Sequence, residues 1–247
     1  MSRTMFCALL LAMGVDAAAA DYAREERWAQ EVVPSLVVGD PVYLATAARP
    51  RVLAIRALPA GPPKGGVVVV HGLGVHPDWG LIGGVRTGLA DAGFATLSVQ
   101  MPVLAANATR DDYRVTLPEA ADRIAVAVAH LRGLGIAKIA IVSHSLGASM
   151  ANVYLARPET PSIDAWVPVG MFGAFDIPPK EPVLDVVAER EIPEVLETAP
   201  ARGRTLPNDR CSRQVTIAGA DHYFDNRQTE LAATIAAFLG RAFDGRC

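Results

Sequence analysis

A serine in a run of small residues is the first candidate for chemistry in this chain. Ser145 stands in Ser143-His144-Ser145-Leu146-Gly147-Ala148, between a short apolar segment typical of a strand and a segment with a helical pattern. A sharp strand-to-helix turn can hold such a serine with its hydroxyl projecting, and small neighbours leave room for the adjacent backbone. The first amides of the following helix would face negative charge on a substrate oxygen. The pattern therefore predicts a nucleophile at Ser145 and an oxyanion donor at the Leu146 amide.

A second oxyanion donor is predicted directly after four consecutive valines. Residues 67–70 are all valine and have glycines near both ends, which is typical of a strand buried on both faces. His71-Gly72-Leu73-Gly74 follows this strand and should lie at the same sheet edge as Ser145. We expect the Leu73 amide to act with the Leu146 amide, and His71 to support the loop.

A serine hydroxyl needs a base, and a base of this kind needs an acid that orients it. Of the five histidines, only His222 follows the last predicted strand, so it is the predicted base. Glu191 lies just past the predicted strand 182–188 and is the predicted acid. Asp185 lies inside that strand and remains the alternative, as a buried carboxylate that would need a partner such as His222 or Arg190.

The remaining histidines and the overall charge indicate no metal, cofactor or nucleic acid. His71, His76, His130 and His144 do not have the spacing of a metal site. The chain has 23 Lys and Arg and 26 Asp and Glu, so its net charge is −3. This charge predicts no basic surface of the kind that binds nucleic acid. The charged run 23–27 is interpreted as a solvated helix face.

The first twenty residues have the pattern of a secretory signal peptide. Arg3 precedes an uncharged apolar run over residues 5–15, and alanines end at position 20. The apolar run is too short to cross a bilayer, and the alanines suit cleavage before Asp21. We expect an exported protein, in the periplasm or secreted, with one domain over residues 21–247 and no stable membrane anchor. An uncleaved anchor or an apolar N-terminal helix is the alternative.

Removing that leader would remove Cys7 and leave two cysteines, Cys211 and Cys247. An even pair in an exported protein predicts a disulfide, which would tie the last residue to the loop before the last strand. Two unpaired thiols are the alternative.

Strand and helix patterns alternate along the rest of the chain. Strands are predicted at 41–47, 51–58, 67–70, 95–101, 138–142, 164–171, 182–188 and 213–218. Helices are predicted at 79–92, from a capping box at 116–119 to about 131, and at 145–157, 193–201 and 229–243. Strands separated by helices predict a mostly parallel sheet with helices on both faces, preceded by an antiparallel pair.

On these motifs the chain resembles the α/β-hydrolase superfamily over residues 41–239. The segments 67–79 and 95–102 are most similar to an uncharacterised family of bacterial hydrolase-like proteins of unknown function. The resemblance implies a three-layer α/β-hydrolase fold with a mostly parallel, eight-stranded-type sheet. It also implies a Ser145–acid–His222 triad without a cofactor. The chain departs from the superfamily pattern at Ser143 and Ala188, where glycine is usual, and at Glu191, where aspartate is usual.

The short connection between the sixth and seventh predicted strands excludes a large lid domain. Residues 172–181 are too few to form one, so we expect an open pocket over which residues 103–115 could fold as a modest flap. The leading hypothesis is an exported serine hydrolase acting on small esters or thioesters through an acyl-enzyme. A noncatalytic binding or envelope-assembly protein, and a peptidase or acyltransferase using the same triad, are the alternatives. The sequence predicts no oligomeric state.

Overall fold

The fold is built on one eight-stranded sheet, seen in a computed structural model that describes residues 20–247. The predicted signal peptide lies, up to residue 19, outside these residues. The strands are β1 (Asp40–Leu44), β2 (Val52–Ala57), β3 (Gly66–Val70), β4 (Ala95–Val99), β5 (Ile139–His144), β6 (Ala165–Val169), β7 (Leu184–Arg190) and β8 (Arg213–Asp221). Their order across the sheet is β1-β2-β4-β3-β5-β6-β7-β8.

In the described part of the chain, six α-helices surround the sheet. They are α1 (Tyr22–Val32), α2 (Gly80–Asp91), α3 (Leu117–Gly133), α4 (Leu146–Ala156), α5 (Pro193–Gly203) and α6 (Gln228–Phe243). A short 3-10 helix, Asp112–Thr116, precedes α3.

The valines of β3 explain why this sheet is covered on both faces. Side chains alternate between faces along a strand. Val68 and Val70 accordingly pack in the apolar cluster that includes α3 and α4, whereas Val67 and Val69 pack in the cluster that includes α2 and α6. All four are buried, so the unbroken apolar run produces the predicted central strand between two helix layers.

Strand direction brings the candidate residues to one edge of the sheet. β1 and β2 form an antiparallel pair, and β2 is antiparallel to β4. Every other neighbouring pair is parallel, so the carboxyl ends of β3 to β8 share an edge. Residues 170–183, which join β6 to β7, contain no helix. The predicted three-layer fold without a large lid is confirmed.

Two local predictions are wrong. The predicted capping box fails because Thr116 donates its hydroxyl to the Tyr113 carbonyl, and the Glu119 carboxylate binds Arg123. The charged run 23–27 does lie on a helix, but that helix face is not fully solvated. Glu25 is buried, because its carboxylate forms two hydrogen bonds with the Arg123 guanidinium, at 3.0 and 3.1 Å. The burial of both charges is possible because each is paired.

The predicted disulfide is present between Cys211 and Cys247. It joins the C-terminal residue to the segment before β8, across a sequence separation of 36 residues. Within residues 20–247, no helix is both long enough and apolar enough to cross a bilayer.

Candidate active site

Ser145 occupies a strained turn between β5 and α4. Its backbone has φ 54° and ψ −122°, a conformation that costs an ordinary residue about 1–3 kcal/mol. Gly147 explains how the turn fits, since a Cβ there would lie 2.5 Å from the carbonyl oxygen of His71. The predicted requirement for a small residue two positions after Ser145 therefore has a direct steric cause.

Ser143, where the family pattern has glycine, is accommodated by a neighbouring strand. The side chain of Ser143 is buried, and its hydroxyl oxygen accepts a hydrogen bond of 2.9 Å from the indole N–H of Trp166 on β6. The hydroxymethyl group thus finds a partner inside the sheet.

His222 connects the serine to a carboxylate. Nε2 of His222 lies 2.9 Å from Oγ of Ser145, and Nδ1 lies 2.6 Å from Oε2 of Glu191. In the neutral tautomer with the proton on Nδ1, Nδ1–H donates to Glu191 and Nε2 accepts from the Ser145 hydroxyl. Glu191 directly follows β7 and His222 directly follows β8, so the parallel sheet brings both to the edge where β5 ends.

Glu191 lies in a closed environment shaped by a glycine. Its side chain is fully buried, and Oε2 also accepts a hydrogen bond from the Ile192 amide. Gly170, directly after β6, has φ +58°, and a Cβ there would lie 2.8 Å from Oε1 of Glu191 and 3.1 Å from Cε1 of His222. Gly170 was not predicted as a site residue, although a glycine inside the predicted strand 164–171 is a signal of close backbone approach that could have identified it.

Asp185, the alternative acid, has a different partner. Its buried carboxylate accepts hydrogen bonds from Arg202 at 2.9 and 3.2 Å and from Gln214 at 2.7 Å. Burial raises the pKa of this carboxyl group, and the charge of Arg202 opposes that rise. The expected partners were wrong, because Arg190 donates instead to the Gly219 carbonyl and His222 binds Glu191.

Two further histidines hold the loops around Ser145. His144 donates from Nε2 to the carbonyl oxygen of His222 at 2.8 Å, which ties the turn to the loop that carries the imidazole. His71 contacts the Gly72 carbonyl through Nδ1 at 2.8 Å and accepts the Met101 amide at Nε2 at 2.9 Å. Burial lowers the pKa of each of these two histidines to about 3, so both are neutral near pH 7.

The loop 71–74 lies against the serine. A Cβ on Gly72 would be 3.3 Å from Cβ of Ser145, so the two backbones are in close approach. Neither the Leu73 amide nor the Leu146 amide donates a hydrogen bond to any group of residues 20–247. Both amides are therefore available to a substrate oxygen.

A cleft of about 380 Å³ adjoins the serine turn. It is lined by residues from the segment before α3, from α4 and from the loop after β6: Arg110, Asp111, Arg114, Leu117, Leu146, Ser149 and Phe172. Part of the predicted flap 103–115 thus forms one wall of the cleft.

The described part of the chain offers no obvious metal centre. Over residues 20–247, no three or more His, Cys, Asp or Glu side chains are grouped so that they could hold a metal ion. His76 packs edge-on against Trp28 with ring centroids 5.8 Å apart, and His130 lies on α3.

A comparison with protein-family models matches part of the chain. Residues 40–122 match the model of a protein family of unknown function (DUF3530). None of the curated proteins compared with the chain matches it.

Solved structures are similar over most of the chain. Est1E from Butyrivibrio proteoclasticus is 17% identical, with a TM-score of 0.65 and coverage of 83% of this chain and 99% of that one. A dienelactone hydrolase from Anabaena variabilis is 21% identical, with a TM-score of 0.65 and coverage of 81% and 96%. A lidless α/β serine hydrolase from Xanthomonas campestris is 14% identical, with a TM-score of 0.65 and coverage of 83% and 95%. The chain therefore has the α/β-hydrolase fold.

Proposed function

We propose that the protein is a serine hydrolase that cleaves carboxylic ester or thioester bonds through an acyl-enzyme. The single observation that carries this proposal is the continuous chain of contacts from Ser145 through His222 to Glu191, at 2.9 and 2.6 Å. A serine hydroxyl, an imidazole and a carboxylate in this order form the arrangement that activates serine for acyl transfer.

In the first half of the reaction, Oγ of Ser145 attacks the carbonyl carbon while its proton passes to Nε2 of His222. The carbonyl oxygen becomes an oxyanion, to which the Leu73 and Leu146 amides donate. Glu191 stabilises the imidazolium through Nδ1–H. The bond to the leaving alcohol or thiol then breaks, the imidazolium supplies its proton to that group, and an acyl-Ser145 ester remains.

Water completes the cycle. Nε2 of His222 takes a proton from water, whose oxygen attacks the acyl carbon of the Ser145 ester. Collapse of the second tetrahedral intermediate releases the carboxylic acid, and the proton returns from His222 to Oγ of Ser145. Atoms and charges balance without a cofactor.

The size of the cleft beside Leu146 favours a substrate with a small acyl group. Its volume of about 380 Å³ is at the lower end of the range usual for small-molecule sites. Apolar contact is offered by Leu117, Leu146 and Phe172, and the connection 170–183 adds no lid that would enclose a long chain.

We also propose that the protein works in an oxidising compartment outside the cytoplasm. The Cys211–Cys247 disulfide supports this, because structural disulfides persist mainly in exported proteins. Cell fractionation should find the protein in the periplasm or medium, and N-terminal sequencing should begin at Asp21. A cytoplasmic chain that retains its leader would contradict this proposal.

A fluorophosphonate probe tests the catalytic proposal. The purified protein should be labelled at Ser145, and Ser145→Ala should abolish both labelling and hydrolysis of 4-nitrophenyl acetate and butyrate. Ser162→Ala is the matched control, since Ser162 is exposed and outside the site, and it should be labelled like the wild type. A folded wild-type protein that is neither labelled nor active on a panel of esters and thioesters would overturn the proposal.

A further inference from the structure

One arginine on the N-terminal helix connects two segments that border the candidate active site. Arg24, on α1, donates from Nη1 to the carbonyl oxygen of Leu104 at 2.7 Å and from Nη2 to that of Gly74 at 3.2 Å. Gly74 ends the loop 71–74, which carries the Leu73 amide, and Leu104 lies near the start of the predicted flap 103–115. A single guanidinium thus bridges both segments.

Contacts with another residue of α1 and with the residue before this helix hold Arg24 in position. The Asp21 carboxylate caps α1 by accepting the Arg24 amide at 2.9 Å. The guanidinium carbon lies 4.4 Å from the ring centroid of Trp28, and Trp28 in turn packs against His76. Stacking on an aromatic ring leaves the N–H donors of an arginine free for such in-plane acceptors.

The helix α1 is also connected to the loop 71–74 through buried side chains of α3 and of the residue after β4. The Glu25 carboxylate pairs with Arg123 on α3, and the same guanidinium donates to the Gln100 carbonyl at 2.8 Å. The Gln100 side-chain amide contacts Nε2 of His71 at 3.1 Å. These buried contacts connect α1 to His71, at the start of the loop 71–74.

The loop needs such support for chemical reasons. An oxyanion donor accelerates acyl transfer only if its N–H is already aimed when charge develops. Leu73 is 40% exposed, and it stands between two glycines, of which Gly74 has φ +67°. Glycines on both sides leave the backbone more conformational freedom than other residues would.

We propose that Arg24 is a positioning residue for the oxyanion hole, so that α1, which lies before the family-matched segment 40–122, is part of the catalytic apparatus. The proposal rests on the function proposed above for Ser145. Arg24 contacts no reacting atom and acts through the Gly74 carbonyl on the orientation of the Leu73 amide.

The test compares Arg24→Met with Arg27→Met. Both changes keep an unbranched apolar side chain on α1, but the Arg27 side chain is exposed and makes no hydrogen bond or salt bridge with residues 20–247. We expect Arg24→Met to lower kcat for 4-nitrophenyl butyrate about 10- to 100-fold with KM changed less than about threefold. The affinity for a boronic acid analogue of the tetrahedral intermediate should fall by the same factor as kcat. Arg27→Met should behave as the wild type in both measurements.

A second measurement does not depend on activity. Hydrogen exchange followed by mass spectrometry should show faster exchange in the peptide that contains residues 72–75 in Arg24→Met, but not in Arg27→Met. If Arg24→Met does not fold, Arg24→Lys, which keeps one donor, replaces it and should show smaller changes in the same direction.

Two results would overturn the proposal: unchanged exchange in the loop, or faster exchange with unchanged kcat and unchanged analogue affinity. A wild-type protein without any esterase activity or probe labelling would instead overturn the function proposed for Ser145. The exchange experiment would then still decide whether Arg24 holds the loop.

Discussion

The Ser143 hydroxyl accepts a hydrogen bond from the indole N–H of Trp166, which lies on the neighbouring strand of the sheet. The two side chains are buried, and the bond is 2.9 Å long. Ser143, which departs from the superfamily pattern in the turn that carries Ser145, thus accepts a hydrogen bond from a donor that a glycine could not satisfy.

Ser143→Gly should therefore cost stability rather than activity. It would leave the Trp166 N–H buried without a partner, for which we expect a loss of about 1–3 kcal/mol in the free energy of unfolding. Urea denaturation followed by tryptophan fluorescence measures this loss. The kcat of the folded variant should stay within about threefold of the wild type, and a large drop in kcat would show that Ser143 has a role in the reaction.

Gly170→Ala should abolish most of the activity. The added methyl group would lie 2.8 Å from Oε1 of Glu191 and 3.1 Å from Cε1 of His222, so the Glu191 carboxylate and the His222 imidazole would be displaced. Gly173→Ala is the matched control, because it also has a positive φ, of +82°, but a Cβ there meets nothing within 4 Å. We expect kcat to fall at least about 100-fold in the first variant. Equal activities of the two variants would contradict the role given to Gly170.

The two buried carboxylates, Asp185 at the start of β7 and Glu191 directly after it, should respond differently to amide substitution. Glu191→Gln removes the charge that stabilises protonated His222, so kcat should fall by about 10²–10⁴-fold with little loss of stability. Asp185→Asn breaks the pair with Arg202 and should lower the free energy of unfolding by about 3–5 kcal/mol. Its kcat should remain near the wild type at temperatures where the variant is folded. The reverse pattern would make Asp185 the acid.

Stability should fall in acid because two histidines are buried in the neutral form. Burial lowers the pKa of His71 and His144 from 6.5 to about 3, so between these values the unfolded state binds more protons than the folded state. The free energy of unfolding should therefore fall as pH falls below about 6.5, by up to about 1.4 kcal/mol per pH unit for each histidine. The carboxyls of Glu25 and Asp185, whose pKa is raised by burial, act in the opposite direction once pH reaches their folded values.

His144→Gln tests this dependence, since an amide N–H can replace the donor to the His222 carbonyl without titrating. Urea denaturation at pH 6.0, 5.5 and 5.0 should give a shallower slope for the variant, by about 1 kcal/mol per pH unit. An unchanged slope would mean that His144 is protonated in the folded protein.

The disulfide should contribute substantially to stability. It closes a separation of 36 residues, for which the chain-entropy model gives about 3–4 kcal/mol. Cys247→Ser should lower the free energy of unfolding by this amount, and Cys211→Ser should do the same. Titration of the denatured wild type should find no free thiol at either position, and two reactive thiols would contradict the pairing.

Most of the fold could be predicted because its signals are local. Four consecutive valines are typical of a strand that is covered on both faces, as β3 is. The segment that forms α3 has apolar residues at helical spacing, with glycines after them. The burial of Glu25 could not be predicted in this way. Its partner Arg123 is 98 residues away in the chain. A run of charged residues has the same sequence pattern whether its side chains are solvated or paired with a distant guanidinium.

The sequence by itself determined the order of strands and helices, the strained turn at Ser145 and the chain order of serine, acid and histidine, because each depends on residues close together in the chain. Tertiary structure alone decided that Glu191, and not Asp185, meets His222, and that Arg24 and Gly170 border the site. The physical reason is that side-chain pairing depends on strand register and on which carboxylate a distant arginine neutralises. These relations arise only when elements far apart in the chain pack together.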